Sequence, residues 1–371
     1  MNEYRVLVVG GYGFFGSRLV SRLCLQAGLH ITVAGRSLAA AQALVAALQA
    51  GAAARLDAIA VDAIGREFPQ ALRSRKIDTV VHTSGPFQGQ DYRVAQACID
   101  VGCHYIDLAD GHAFVCGIDA LHDDAVRRGV LVTSGASSVP ALSGAVVDHL
   151  AAGMARVDAI DIGISPGNRT ERGLSTVAAI LSYCGQRLVA DGPRPVYGWL
   201  GTYRHRYPEP VGERLLSACD VPDLSLLPPR YPGRPPVRFG AGLELRFLHR
   251  GMNLMAWMAR RGLVRDWSSH AAWLKRAADW FVRWGSDAGA MHVQVDGRDA
   301  QGRPLRRGWV LVAGSGAGPY VPTLAASALV RRLAAGARCR VGAQPCTGLL
   351  SLDDFAAETE GLDIRMTPTT P

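Results

Sequence analysis

Val6-Leu7-Val8-Val9-Gly10-Gly11-Tyr12-Gly13-Phe14-Phe15-Gly16 decides how this chain begins to fold. Four apolar residues in a row, three of them β-branched, predict a strand buried on both faces. The strand runs into a turn in which Gly11, Gly13 and Gly16 fit G-x-G-x-x-G, and Gly10, Gly13 and Gly16 fit G-x-x-G-x-x-G equally well. In either register the small residues let a pyrophosphate approach the backbone at the start of the next helix, around Phe14 and Phe15. Free N–H groups and the helix dipole favour negative charge there. Leu19, Val20 and Leu23 share one face of that helix while Ser17, Arg18, Ser21 and Arg22 lie elsewhere, and Gly28 stops it.

The second strand, residues 31–34, runs into Gly35-Arg36-Ser37. It ends about 20 residues beyond the glycine turn, where an NAD-selective site carries Asp or Glu for the ribose 2′-hydroxyl. Arg36 and Ser37 offer a guanidinium and a hydroxyl instead, which suit a 2′-phosphate. The expected cofactor is therefore NADP(H).

Working outward, strands are expected at 59–61, 79–82, 104–107 and 130–133, with helices at 38–48 and 91–101 and another ending at Arg127. With the first two, these make six parallel strands of a Rossmann-type, doubly wound α/β domain. Loops after such strands line the ligand crevice. Asp62 is thus expected near the adenine or its ribose, and Ser84-Gly85-Pro86-Phe87 against the ribose or nicotinamide. Tyr105, Asp107, Asp110 and His112 are the ionisable candidates for handling a catalytic proton, with His82 more suited to a satisfied crevice role.

Beyond Gly135 the pattern changes to a second, mixed α/β substrate domain. It has helices at 140–151 and 174–188, a strand at 159–164, a Pro-, Gly- and Arg-rich stretch at 193–236, and a hairpin formed by 291–295 and 309–312. The expected division is 1–135 for NADP binding, 136–315 for substrate and dimerisation, and 316–371 as a C-terminal segment packing back on the first domain. Within 253–284, Trp257, Trp267, Trp273, Trp280 and Trp284 lie among six basic residues on two amphipathic helices. Such a segment suits core and subunit interface, a membrane surface, or contact with an acyl carrier.

Composition narrows the class. At 371 residues and 49% hydrophobic side chains the chain can fill two packed domains. Its eight cysteines show no metal-ligand spacing, so no metal is expected. The formal net charge is +8; the basic residues are nearly all arginines found over the whole length, with Lys76 and Lys275 the only lysines, and no basic stripe in a recognised module points to nucleic acid. No apolar run approaches the roughly 18 residues of a membrane span. A cytoplasmic homodimer acting on a small molecule is the expectation.

Together these residues resemble the saccharopine dehydrogenase-like NAD(P)-binding oxidoreductases. The resemblance rests on residues 9–16 and 34–37, Ser84-Gly85-Pro86-Phe87, Gly102-Cys103-His104-Tyr105-Ile106-Asp107 and Ser134-Gly135-Ala136-Ser137-Ser138-Val139-Pro140. Near the end it continues in Gly318-Pro319-Tyr320-Val321-Pro322 and Gly342-Ala343-Gln344-Pro345-Cys346. It implies hydride transfer, as in trans-acting enoyl reductases of lipid or polyketide assembly or in saccharopine-type amino-acid dehydrogenases, and a C-terminal segment that returns to the cofactor domain. Where the family usually continues after Tyr105-Ile106-Asp107 with a glycine and a glutamate, this chain has Leu108-Ala109-Asp110-Gly111-His112. An NADP-binding sensor or scaffold without chemistry is the reading from another class.

Overall fold

The computed structural model describes residues 3–189 and 195–369; positions 193–194 of the Pro-rich stretch lie outside the described residues. In chain order the strands are β1 (Tyr4–Val9), β2 (Leu29–Gly35), β3 (Arg55–Ala60), β4 (Thr79–His82), β5 (His104–Asp107), β6 (Leu131–Ser134) and β7 (Arg156–Ser165). They continue with β8 (Tyr203–Arg206), β9 (Glu213–Ala218), β10 (Val237–Ala241), β11 (Gly289–Arg298), β12 (Pro304–Ala313), β13 (Gly342–Pro345) and β14 (Ile364–Thr369). They form two sheets in two compact units, residues 1–141 with 320–350 and residues 142–319 with 351–371.

The first unit holds a parallel sheet in the order β13-β6-β5-β4-β1-β2-β3. β1 is central, and Val6, Leu7 and Val8 are wholly buried, as their unbroken apolar run requires. The chain leaves β1 toward β2 on one side and reaches β4 on the other. The ends of β1 and β4 therefore flank the switch point where doubly wound sheets bind ligands.

Three expectations are corrected by the sheets and units. The sheet has a seventh strand, β13, paired with β6 from Gly342↔Leu131 to Pro345↔Ser134. The C-terminal segment is shared between the units: 320–350, with its buried helix Leu324–Ala334, belongs to the first, whereas β14 pairs antiparallel with β12 of the second. The boundary near residue 135 also moves to 141.

The second unit is a mixed sheet in the order β14-β12-β11-β7-β10-β9-β8, antiparallel except for β7 with β10. The expected hairpin is present and longer, ten residues in each of β11 and β12. Met291, Val293 and Val295 alternate inward on β11 and are buried, as a period of two demands. The Pro-rich stretch supplies β8 and β9, which its composition concealed. The expected helix 174–188 ends at Ser182.

Asp223, in the short helix Asp223–Leu226, is wholly buried with Ser143 as its polar neighbour, and burial lifts its carboxyl up to about 7. The unfolded carboxyl titrates near 3.9. Because the folded state holds this proton more tightly, its contribution to stability falls as pH rises from about 4 to about 7. Asp223→Asn is therefore expected to raise the melting temperature at pH 8 and to converge with the parent near pH 4. Equal melting temperatures at pH 8 would contradict this.

Candidate cofactor and active site

The turn after β1 is built so tightly that only glycine fits it. Gly10 has φ +73°, and the Gly10 and Gly11 N–H groups donate to the Ala34 carbonyl at 2.8 and 3.2 Å. The Gly13 N–H returns to the Gly10 carbonyl at 2.8 Å. A Cβ on Gly16 would lie 2.1 Å from the Gly10 oxygen and 2.8 Å from the Gly11 Cα. Gly13 caps the helix Phe14–Leu23 in extended conformation with no side-chain cap, leaving first-turn N–H groups for an anion. This cradle fits a dinucleotide pyrophosphate. The Phe14 and Phe15 rings meet edge-on at 4.9 Å, and the Arg18 guanidinium lies 4.0 Å over Phe14.

At the end of β2, Arg36 is exposed and has no side-chain partner among the described residues. Ser37 caps the helix Leu38–Leu48, its hydroxyl accepting from the Ala40 N–H at 3.3 Å. Asp62 follows β3, exposed, with its carboxylate accepting from the Ile64 N–H at 3.2 Å. Tyr12 is a site residue the sequence did not disclose. Its ring covers Gly35, where a Cβ would come within 2.5 Å of it, and its hydroxyl accepts from the Ser37 N–H at 3.0 Å. As an unconstrained position of the glycine motif it carried no signal of its own, yet it ties the turn to the Arg36 loop.

The end of β4 is clamped to the same turn. The Thr83 hydroxyl lies 2.8 Å from the Val9 carbonyl and 3.1 Å from that of Gly10, and the Ser84 Oγ occupies the space a Gly10 Cβ would need. Gln90 donates to the Ser84 and Pro86 carbonyls at 3.0 and 2.7 Å, fixing the loop through the cis Gly85–Pro86 bond. Ser84 thus stays beside the glycine turn. Phe87 does not: its ring is buried between His82 (5.2 Å) and Phe114 (5.3 Å), so it braces the loop from within.

The four proton-handling candidates divide in two. Tyr105 and Asp107 are wholly buried. Tyr105 shares a 3.1 Å hydrogen bond with His82 Nδ1, and burial drives its phenol well above its ordinary range. Burial also holds His82 down to about 4, so that it is neutral near pH 7. Asp107 Oδ1 accepts from the Ala109 N–H (2.9 Å), the Gly135 N–H (2.8 Å) and the Ser134 hydroxyl (2.9 Å), joining the ends of β5 and β6. Burial outweighs these bonds and raises its carboxyl to about 6. Asp110 and His112 lie in the next loop. Asp110 is exposed and accepts from Gln88 at 3.3 Å, while His112 is half-buried and opens the helix His112–Cys116.

The family described as "Saccharopine dehydrogenase NADP binding domain" matches residues 6–133, which hold most of β1, β2 to β5, most of β6 and the site residues from Gly10 to His112. No curated protein sequence matches the chain. Among solved structures, the apo saccharopine dehydrogenase (L-Glu forming) of Saccharomyces cerevisiae is similar at a TM-score of 0.69 and 13% identity, covering 99% of this chain and 100% of that one. This shows the same fold across both units. GenD2 from gentamicin A biosynthesis, solved with NAD, aligns at a TM-score of 0.44 and 10% identity over 100% and 97% of the two chains. Over residues 6–133 this chain thus matches the saccharopine dehydrogenase NADP-binding domain family.

Proposed function

We propose that the chain is an NADP(H)-dependent oxidoreductase that moves a hydride to or from a small acyl- or polyketide-type substrate, as an enoyl or imine reductase does. The observation that carries the cofactor choice is Arg36, exposed and unpaired where an NAD-selective site places a carboxylate. When bound, the dinucleotide supplies or accepts the hydride. The chain's own task is to hold the phosphates with Gly10, Gly11, Gly13 and Gly16, meet the 2′-phosphate with Arg36, and move one proton.

That proton is assigned to the loop after β5. Asp110 and His112 are the two of the four candidates that reach solvent, whereas Tyr105 and Asp107 position the strand ends from inside. His112→Ala is expected to lower turnover about 100-fold while NADPH affinity stays within about twofold. Turnover unchanged in this variant would remove His112 from the role. The reaction is read by following oxidation of the reduced nicotinamide across α,β-unsaturated acyl thioesters and across keto-acid and amine pairs.

The likeness of fold to a saccharopine dehydrogenase over both chains keeps amino-acid dehydrogenation as the second reading. That chemistry needs free cations to clamp carboxylates. Arg172 and Arg169 point to the Gly167 and Arg283 carbonyls, each at 3.4 Å, and Arg204 faces Glu213 at 3.8 Å. Arg206, by contrast, is exposed and has no side-chain partner among the described residues, so one cation stays free for this second reading. NADPH binding without turnover on either class would support the sensor.

A further inference from the structure

Two helices of the second unit turn the usual pattern of a surface helix outward. The helix Arg246–Arg260 packs Met252, Met255 and Ala256 against a core of Cys184 and Trp199. Its solvent side should then be polar. Instead Phe247, Arg250, Leu254, Trp257 and Arg261, spaced three and four apart, form an exposed stripe of alternating apolar and cationic side chains. The helix Ala271–Asp279 repeats this with Trp273, Arg276 and Trp280.

The exposures are unusual for tryptophan: 68% at Trp273, 82% at Trp280 and 66% at Trp284. Of the five tryptophans in the segment, Trp267 is the one packed against the core, its indole N–H donating to the Met255 carbonyl at 2.9 Å. Trp284 meets Phe247 and Phe281 edge-on at 6.0 and 5.1 Å, which holds the aromatic projections in place. Residues 246–284 carry eight basic side chains against Asp266 and Asp279, a net +6 of the whole chain's +8.

The charge identifies the occupant. A second copy seated symmetrically on this face would set +6 against +6, a repulsive arrangement for a two-fold interface. An acidic protein would have to offer a fitted socket to each tryptophan. An anionic bilayer asks for no such fit: tryptophan settles at headgroup depth, and arginine reaches the lipid phosphates while its stem stays among the apolar chains. The geometry points to this face as a peripheral docking surface for anionic phospholipid membranes. It stands independently of the reaction proposed above.

The test is flotation of the full chain with vesicles of phosphatidylcholine alone and of equal parts phosphatidylcholine and phosphatidylglycerol. Binding to the mixed vesicles is expected to exceed binding to the neutral ones at least about tenfold and to weaken in high salt. Trp273→Ser with Trp280→Ser, and separately Arg261→Glu with Arg276→Glu, are each expected to lose about tenfold on the mixed vesicles. Both double variants should keep the parent's melting temperature and NADPH affinity, which separates lost docking from lost folding. Failure to float with anionic vesicles would overturn the proposal, as would equal, salt-insensitive binding to both kinds. Concentration-dependent self-association abolished by the tryptophan changes, without flotation, would assign the face to a second copy. Binding of an acidic carrier protein without flotation would assign it to that partner.

Discussion

Arg36→Asp is expected to weaken NADPH binding about 100-fold while NADH affinity changes no more than about threefold. The size follows from losing a charge-assisted hydrogen bond to a dianionic phosphate and putting a carboxylate in its place. The selectivity follows from position. Arg36 is exposed beyond the last buried residue of β2 and carries no structural burden among the described residues, so the change should leave the fold intact. A carboxylate there is also the group that receives a free 2′-hydroxyl in NAD-selective sites. Parallel weakening of both nucleotides would show that Arg36 acts on the pocket generally and does not read the 2′-phosphate.

Gly16→Ala is expected to lower stability by about 3 kcal/mol or, where the turn opens to admit the methyl group, to reduce affinity for both nucleotides about 100-fold or more. The obstacle is backbone. The Gly10 oxygen at 2.1 Å and the Gly11 Cα at 2.8 Å cannot swing aside as a side chain would, and both belong to the phosphate cradle. Gly28→Ala is the informative control. Gly28 has φ +83° but open space around it, so alanine there should cost about 1 kcal/mol of backbone strain and leave nucleotide binding unchanged. Thermal melting and NADPH titration of both variants distinguish a cradle from an ordinary tight turn.

The parts of the fold that could be read in the chain are those with local causes. Val6 to Gly16 specify strand, turn and helix within eleven residues, and the Leu19, Val20 and Leu23 stripe is buried as the period required. β13 escaped notice because Gly342-Ala343-Gln344-Pro345 has neither β-branched residues nor alternation; it is a strand because β6 offers it a parallel edge far away in sequence. β8 and β9 were likewise hidden by the glycines and prolines around them.

The candidate site was legible as a set of loops and much less so as a set of side-chain directions. Strand-end residues alternate sides, and nothing local to Tyr105 or Asp107 says which side faces the interior. Asp107 accepts its three hydrogen bonds from the β5 and β6 ends, and two of them come from residues remote in sequence. Phe87 is similar: it lies three residues after Ser84, which touches the glycine turn, but its aromatic ring answers to His82 and Phe114. In 253–284, tryptophans interspersed with basic residues suggested two amphipathic helices. Which stripe faces outward is set by the inward side, where half-buried Met252 and Met255 and buried Ala256 pack.

The most direct test of the central claim is fluorescence titration of the purified full chain with NADPH and with NADH under the same salt and pH. A glycine cradle completed by Arg36 predicts saturable, one-site binding of NADPH at least about 100-fold tighter than that of NADH. Equal affinities, a preference for NADH, or no saturable binding of either nucleotide would contradict it.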